Sequence, residues 1–449
     1  MKSQVSLTKA MSAYILPVLA LIFISYPTIS LSSEDEFDFG FEDSEENKDQ
    51  RPLEKKSSPF KIDLNGNITL KSSRQIGSPK RWNYLGPSLK LKGSLNTPYA
   101  FLKFDGDSEF NLAFKIEKDD ETFSKKHLPK SRLREIYVQK SFGKHTIYLG
   151  KKIVVWGKAD ALVITDVLTP KDNSLLLLTD IEKSRTGQLL FEWDFYLKNI
   201  ELNLYAIPFP LYNLYPDQGH PYGLPLNYTV KNQGEFTKKE QNSEGALRIN
   251  YESDWGSTAF LLASIHNRDS VLETINIFDL SFQEKHERYL FLGLTMDIAL
   301  KKMLLKTEMA YEKEKLTQTY TEFFGQQIPT VAKQNVLSLM GGVDYNHNRW
   351  GNWIFEISGS KIEKWSHLLL MSFSKNFLNE DLKLSASITF YDHLKNPSLS
   401  ASSSYRINDS LKATLSSTLI DIQKPLDSNP MLSGLSEMDQ IGLEIKYLF

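Results

Sequence analysis

The sequence predicts an all-β fold: a single transmembrane antiparallel β-barrel of sixteen to eighteen strands occupying residues 60–449. Three observations point there. Period-two alternation of apolar and polar residues recurs along the chain, while no segment longer than a turn or two keeps a helical period. The connections alternate between turns of two to five residues and long loops, the arrangement of a bacterial outer-membrane barrel. The final segment places Ile441, Leu443, Ile445, Tyr447 and Phe449 on one face, an apolar outer surface ending at an aromatic residue.

The elements follow in order. Lys2 and Lys9, the apolar run Ala13 to Ile24, and the small residues Ser30 and Ser32 read as a secretory signal peptide over residues 1–32. The run is too short to span a membrane and contains Pro17. Residues 33–59 form an acidic periplasmic tail, in which Glu34 to Asp49 hold nine Asp/Glu and one Lys. Such a charge run buries too little apolar surface to order itself, so it reads as a solvated terminus or a docking segment for a periplasmic partner.

Eighteen strand segments then follow, at 60–71, 86–95, 108–117, 132–142, 145–155, 188–197, 200–206, 245–252, 257–267, 288–299, 302–312, 335–346, 352–361, 365–376, 381–391, 397–407, 410–421 and 438–449. An even number returns the chain to the periplasm. Short turns fall at Gly143-Lys144, Lys198-Asn199, Ser253 to Gly256 and Asn408-Asp409; long loops fall at 156–187, 207–244, 268–287, 313–334 and 422–437. No fixed repeat length appears, which argues against a propeller or solenoid.

Composition removes other classes. The chain has 449 residues, a formal charge of −2 and no cysteine, so a disulfide framework, thiol chemistry and Cys-ligated metals are excluded, and a nucleic-acid partner is not expected. The mean hydropathy of −0.34 excludes a bundle of membrane helices but not a barrel, whose strands alternate.

If the apolar phase faces lipid, the other phase lines the lumen. Inward charges are expected at Lys90, Lys92, Lys115, Glu117, Glu192, Asp194, Glu201, Arg248, Lys306 and Glu308, and inward hydroxyls at Ser358, Ser372, Ser374, Ser385, Ser387, Thr389, Ser400, Ser402, Ser404, Thr414, Ser416 and Thr418. A two-residue turn at Gly143-Lys144 would set Glu135 opposite Lys152, Tyr137 opposite Gly150 and Gln139 opposite Tyr148. The loop Trp156 to Gly187 carries the apolar run Leu175 to Leu178, which is costly on a surface and predicts that the loop folds into the barrel. The pore-lining and constriction residues are then Glu135, Tyr137, Lys152, Trp156, Lys158, Asp160, Asp166, Asp172 and Arg185. Loop 207–244, rich in Pro and Tyr, reads as an extracellular lid or a ligand grip.

The segment Arg134-Glu135-Ile136-Tyr137, then Gly150-Lys151, Trp156-Gly157-Lys158-Ala159-Asp160 and Thr169-Pro170-Lys171-Asp172, resembles a motif of porin-like Gram-negative outer-membrane barrel proteins. Some of that family are encoded beside inner-membrane exporters. The match covers about 55 residues, and Lys152 stands where glutamine is commoner. The resemblance implies a channel or an export-related porin. The C-terminal strand ending at Phe449 is also similar to the recognition strand read by the barrel-assembly machinery.

The expected function is an outer-membrane channel for passive diffusion of small polar or charged solutes, without cofactor, metal or catalysis. The alternatives are an outer-membrane component serving export of lipid-like molecules, or a surface receptor or adhesin with a closed barrel. An enzyme would need a nucleophile beside a histidine. The eight histidines are scattered, and His367 beside Ser366 is the nearest candidate.

Overall fold

The computed structural model describes residues 60–77, 80–116, 129–174, 181–215, 229–231, 242–277, 281–323, 326–391, 396–421 and 439–449. The signal-peptide and acidic-tail readings lie outside the described residues.

Eighteen strands form one closed antiparallel barrel. In chain order they are β1 (Lys61–Gln75), β2 (Trp82–Asn96), β3 (Phe101–Phe110), β4 (Pro129–Phe142), β5 (His145–Lys152), β6 (Gln188–Leu197), β7 (Ile200–Ile207), β9 (Glu244–Ser253), β10 (Gly256–His266), β13 (Arg288–Leu300), β14 (Met303–Phe323), β15 (Gln326–His347), β16 (Gly351–Lys361), β17 (Trp365–Phe377), β18 (Leu382–Tyr391), β19 (Asn396–Asn408), β20 (Leu411–Ile420) and β21 (Gln440–Leu448). Each pairs with the next, and β21 closes the ring on β1 from Asn67↔Leu448 to Gln75↔Gln440. Closure leaves no open sheet edge, the condition for a backbone surrounded by hydrocarbon. The remaining elements are the short strands β8 (Thr229–Lys231), β11 (Val271–Asn276) and β12 (Ser281–Lys285), which form a three-stranded sheet, and two single-turn helices, α1 (Ala113–Ile116) and α2 (Ile181–Ser184).

The two phases of each strand separate as a membrane barrel requires. Leu70, Leu149, Phe260, Leu294, Met309, Ile357 and Leu443 are all at least 44% exposed on the outer face. An all-round band of exposed large apolar side chains is unfavourable in water and is satisfied by lipid. Ile441, Leu443, Ile445, Tyr447 and Phe449 belong to that band.

Two expected elements are corrected. The third strand is Phe101–Phe110, not 108–117: the outward residues are Leu102 and Phe104, and the chain leaves the sheet at Asn111, whose side-chain amide donates to Asn83 O (3.2 Å) and whose carbonyl oxygen accepts from Leu85 N (3.0 Å). Lys115, expected to face the lumen, lies instead in α1, and Glu117 falls outside the described residues. The expected loop 313–334 is the distal part of a long hairpin, because β14 and β15 stay paired from Lys315↔Gln334 to Phe323↔Gln326. Gln318 ties this hairpin to the small sheet, donating from Nε2 to Leu272 O (2.9 Å) and accepting from Leu272 N (2.8 Å).

Candidate functional site

The lumen is divided by the described residues 153–174 and 181–187 of the segment between β5 and β6. It leaves the sheet because Ile153 N donates to Glu135 Oε1 (2.9 Å). Its outgoing and returning limbs are then sewn together: Val154 N donates to Thr169 Oγ1 (2.8 Å), whose hydroxyl donates to Val154 O (2.6 Å). Gly150, at φ +138°, lets β4 pass close by, since a Cβ there would stand 2.4 Å from Ile136 O and 2.7 Å from Tyr137 Cα.

One side of the segment is apolar and packs on an apolar part of the barrel's inner wall. Trp156 is 2% exposed and meets Tyr205 edge-on (5.8 Å between centroids) and Phe291 at 6.2 Å. Leu168, with the half-buried Ile164 and Val167, packs into the same cluster, whose wall side comprises Leu261, Ile265, Tyr289, Phe291 and Ala310. Burial of this surface anchors the segment inside the barrel. The leucine run 175–178 was expected to do so, but it falls outside the described residues; the observed anchor is Trp156, Ile164, Val167 and Leu168.

Two wall carboxylates then grip the tip. Glu308 on β14 accepts from Lys158 N (2.6 Å), Ala159 N (2.8 Å), Ile164 N (3.0 Å), Thr165 N (3.0 Å) and Thr165 Oγ1 (2.8 Å). Glu356 on β16 accepts from Asp160 N (2.5 Å), Ala161 N (3.1 Å) and Leu162 N (2.9 Å). Gly157 permits the approach, because a Cβ there would lie 2.1 Å from Val163 Cγ1 and 3.2 Å from Glu308 Oε1. Lys306 Nζ stands 2.5 Å from both Asp160 and Asp344, and Lys158 Nζ stands 2.7 Å from Asp297. Around the eighteen-strand ring, β16 is eight positions from β5, so the segment crosses most of the lumen.

The return limb is fixed as firmly. Asp166 pairs with Arg185 (2.8 Å), and Arg134 donates to Glu182 O (2.8 Å) and Arg185 O (3.3 Å). Asp172, 3% exposed, is 2.5 Å from Lys130 and 3.0 Å from Arg132. Burial alone would raise its carboxyl pKa, but Lys130, the Ser174 hydroxyl and Arg132 outweigh burial and hold it at about 2.

The expected site residues therefore fall into distinct positions. Lys158, Asp160, Asp166, Asp172 and Arg185 all lie on the inward segment, but as its ionic struts. Trp156 is its apolar anchor rather than a pore-lining side chain. The Gly143-Lys144 turn sets Tyr137 opposite Gly150 and Gln139 opposite Tyr148, whereas the ladder stops at Ile136↔Lys151. Glu135 and Lys152 take other partners: Glu135 pairs with Lys103 (3.0 Å), and Lys152 pairs with Glu192 (2.5 Å) while covering the Tyr148 ring at 3.6 Å. Glu356 escaped the sequence reading. Its only signal was its position two residues before Ser358, on the inward phase of its strand.

Among the described residues the other half of the lumen holds a cavity. Strand register lines up Ser374, Ser385, Ser402 and Ser416 in one row and Ser372, Ser387, Ser400 and Thr418 in the next. A cavity of about 430 Å³ lies against this wall. Nearer the short-turn rim, Lys383, Lys412 and Lys446 face inward with Lys71 and Glu444.

At the long-loop rim, described parts of the loops lock together. Arg268 donates to Glu244 (2.5 Å) and to Leu211 O (3.3 Å), Tyr212 stacks on His286 (3.7 Å between centroids), and Tyr215 OH donates to Asp269. His367 points outward beside Trp365 (6.1 Å between ring centroids).

No protein-family model matches the chain. No curated protein matches its sequence either. Solved structures do share its fold. OccK8 (OprE) of Pseudomonas aeruginosa superposes with a TM-score of 0.53 at 10% identity, covering 86% of this chain and 98% of that one. OccAB4 of Acinetobacter baumannii gives 0.50 at 8% identity, covering 88% and 99%. OccK2 (OpdF) of Pseudomonas aeruginosa gives 0.50 at 8% identity, covering 86% and 97%. At such identities the likeness is one of fold.

Proposed function

We propose that this chain is a Gram-negative outer-membrane channel through which small polar or charged solutes diffuse passively, narrowed by residues 153–187. The observation that carries the proposal is the division of the lumen. One half is filled by a segment latched to Glu308 and Glu356, and the other half is a hydroxyl-lined cavity. A barrel of this strand number encloses an aqueous passage unless a loop plugs it, and among the described residues a cavity of about 430 Å³ remains along the hydroxyl wall.

The apolar outer face supports residence in a bilayer, with the short-turn rim, where Phe60 and Phe449 lie, on the periplasmic side. The outward apolar row Ile441, Leu443, Ile445 and Tyr447 of β21 supports recognition of that strand by the barrel-assembly machinery. The excess of lysine over Glu444 along the open wall supports a preference for anions over cations. No catalytic role is assigned, since His367 faces away from the lumen; lipid or peptide hydrolysis that disappears in a His367→Ala variant would reverse that assignment.

Single-channel conductance of the refolded mature protein in a planar bilayer, at asymmetric salt, tests the reading. Discrete anion-selective steps that enlarge on deletion of residues 158–185 are expected. A correctly folded barrel that carries no current would overturn it in favour of a closed-barrel receptor.

A further inference from the structure

We infer that the hydroxyl wall of the open half-lumen is a binding site for a neutral polyhydroxylated solute, a monosaccharide or an alditol; this deepens the channel reading and rests on it. Among the described residues, Ser372, Ser385, Ser387 and Ser402 make no side-chain hydrogen bond within the protein, although all four line the cavity of about 430 Å³. They sit on three neighbouring strands in adjacent rows. Their spacing is therefore about 4.8 Å across strands and roughly 7 Å along them. That grid matches the separations between non-adjacent hydroxyls of a six-carbon sugar.

A second observation points to the same place. Tyr84 lines this cavity and is 2% exposed, yet its hydroxyl has no hydrogen-bond partner. A buried phenol left unsatisfied is costly and marks a position where a polar group of a solute would be favourable. Lys71 faces Glu444 across β1 and β21 at the cavity edge and adds a donor there, beside the Glu444–Lys446 ion pair (3.0 Å).

The chemistry selects the solute. Each serine can both donate and accept, and so can each hydroxyl of a polyol. Exchange of wall-bound water for solute hydroxyls then loses little hydrogen bonding. An alkyl or ether solute would leave the wall hydroxyls unpaired. An ion would shed hydration that neutral hydroxyls repay poorly.

Liposome swelling provides the test, with sorbitol compared against tetraethylene glycol, a neutral solute of similar mass and far fewer hydroxyls. The full-length mature protein should admit sorbitol preferentially. In the S372A/S385A/S387A/S402A variant that preference should fall by about tenfold, equivalent to ~1.4 kcal/mol, with salt conductance retained. Tyr84→Phe, which removes one oxygen and keeps the ring, should lower it by a smaller factor. A preference that is absent in the wild type, or unchanged in both variants, would overturn the site while leaving the conducting channel intact. Glucuronate displacing sorbitol at tenfold lower concentration than glucose does would overturn the neutral assignment in favour of sugar acids. Loss of all salt conductance in the wild type would instead sink the channel reading itself.

Discussion

The carboxylates of Glu308 and Glu356 offer the sharpest way to ask whether the inward segment sets the bore. Glu308 is 3% exposed and accepts five hydrogen bonds from residues 158–165. In Glu308→Gln one oxygen becomes an amide NH₂. That donor faces either the amides of Lys158 and Ala159 or those of Ile164 and Thr165 with its hydroxyl. At least two bonds are lost, and each orphaned buried donor costs about 1–3 kcal/mol. A net loss of roughly 3 kcal/mol shifts the latched-to-unlatched ratio of the tip, residues 158–165, by more than 100-fold while the apolar anchor stays seated. Glu356→Gln removes one or two of three further bonds, and the adjacent latches should couple in the double variant. Because the chain has no cysteine, an Ala161→Cys reporter is unambiguous: its maleimide labelling should accelerate in E308Q/E356Q, and conductance should rise. If a folded double variant shows neither change, the carboxylates do not hold the segment and the constriction argument fails.

Trp156→Ala empties the centre of the apolar anchor and should destabilise docking by ~3–5 kcal/mol, read as a lower thermal midpoint and a wider single-channel current distribution. Gly157→Ala places a methyl 2.1 Å from Val163 Cγ1 and 3.2 Å from Glu308 Oε1, so the Val163 side chain must swing aside and the tip loosens on Glu308; raised conductance with an intact barrel is expected, and wild-type behaviour would count against the tight turn. Asp172 is held at about 2, below its ordinary value of 3.8, so its contribution is complete above that ordinary value and is lost as pH falls towards 2. The difference is worth roughly 2 kcal/mol, and the Asp172→Asn barrel should show a flatter stability profile between pH 5 and pH 2, measured by thermal melts. Deleting residues 315–334 should leave conductance within about twofold, because that distal hairpin packs on β11 rather than on the latch.

Much of the barrel was legible because a membrane strand writes its two faces in alternate residues. Leu382 to Phe390 and Ile441 to Phe449 could hardly be read otherwise. The third strand misled because Phe110-Leu112-Phe114-Ile116 alternates more cleanly than the true outward pair Leu102 and Phe104, which Gly106 and Ser108 follow. The distal hairpin at 315–334 is not legible as strands because Gln318 and Glu322 interrupt the face of Leu316 and Tyr320, and Pro329 interrupts the second strand, above the apolar band where no bilayer demands alternation. The inward path was expected from the leucine run 175–178, which lies outside the described residues; the anchor at Trp156, Ile164, Val167 and Leu168 and the grip on the tip were not read. The donors to Glu308 lie 143 to 150 residues away and those to Glu356 194 to 196, and no local pattern encodes such a pairing. Arg134, Glu135, Gly150, Trp156, Gly157, Asp160, Thr169 and Asp172 launch, anchor, turn and tie the inward segment.

The wall beneath the segment bears on how the passage can open. A barrel lumen filled with water has no use for Leu261, Ile265 and Phe291, all fully buried on the inner face of β10 and β13. Withdrawal of the segment would expose these side chains together with Trp156 and Leu168. Each large apolar side chain brought into water costs about 1.5–3 kcal/mol. Five such side chains, before any of the eight carboxylate bonds is broken, place a fully open state far beyond thermal reach. The segment is therefore a fixed partition, and any modulation of current must arise on the open side, from solutes at the hydroxyl wall or from the lysines nearer the short-turn rim. A voltage-dependent closure that persists in E308Q/E356Q and vanishes in K383Q/K412Q would follow from this division; closure abolished by the latch variant alone would contradict it.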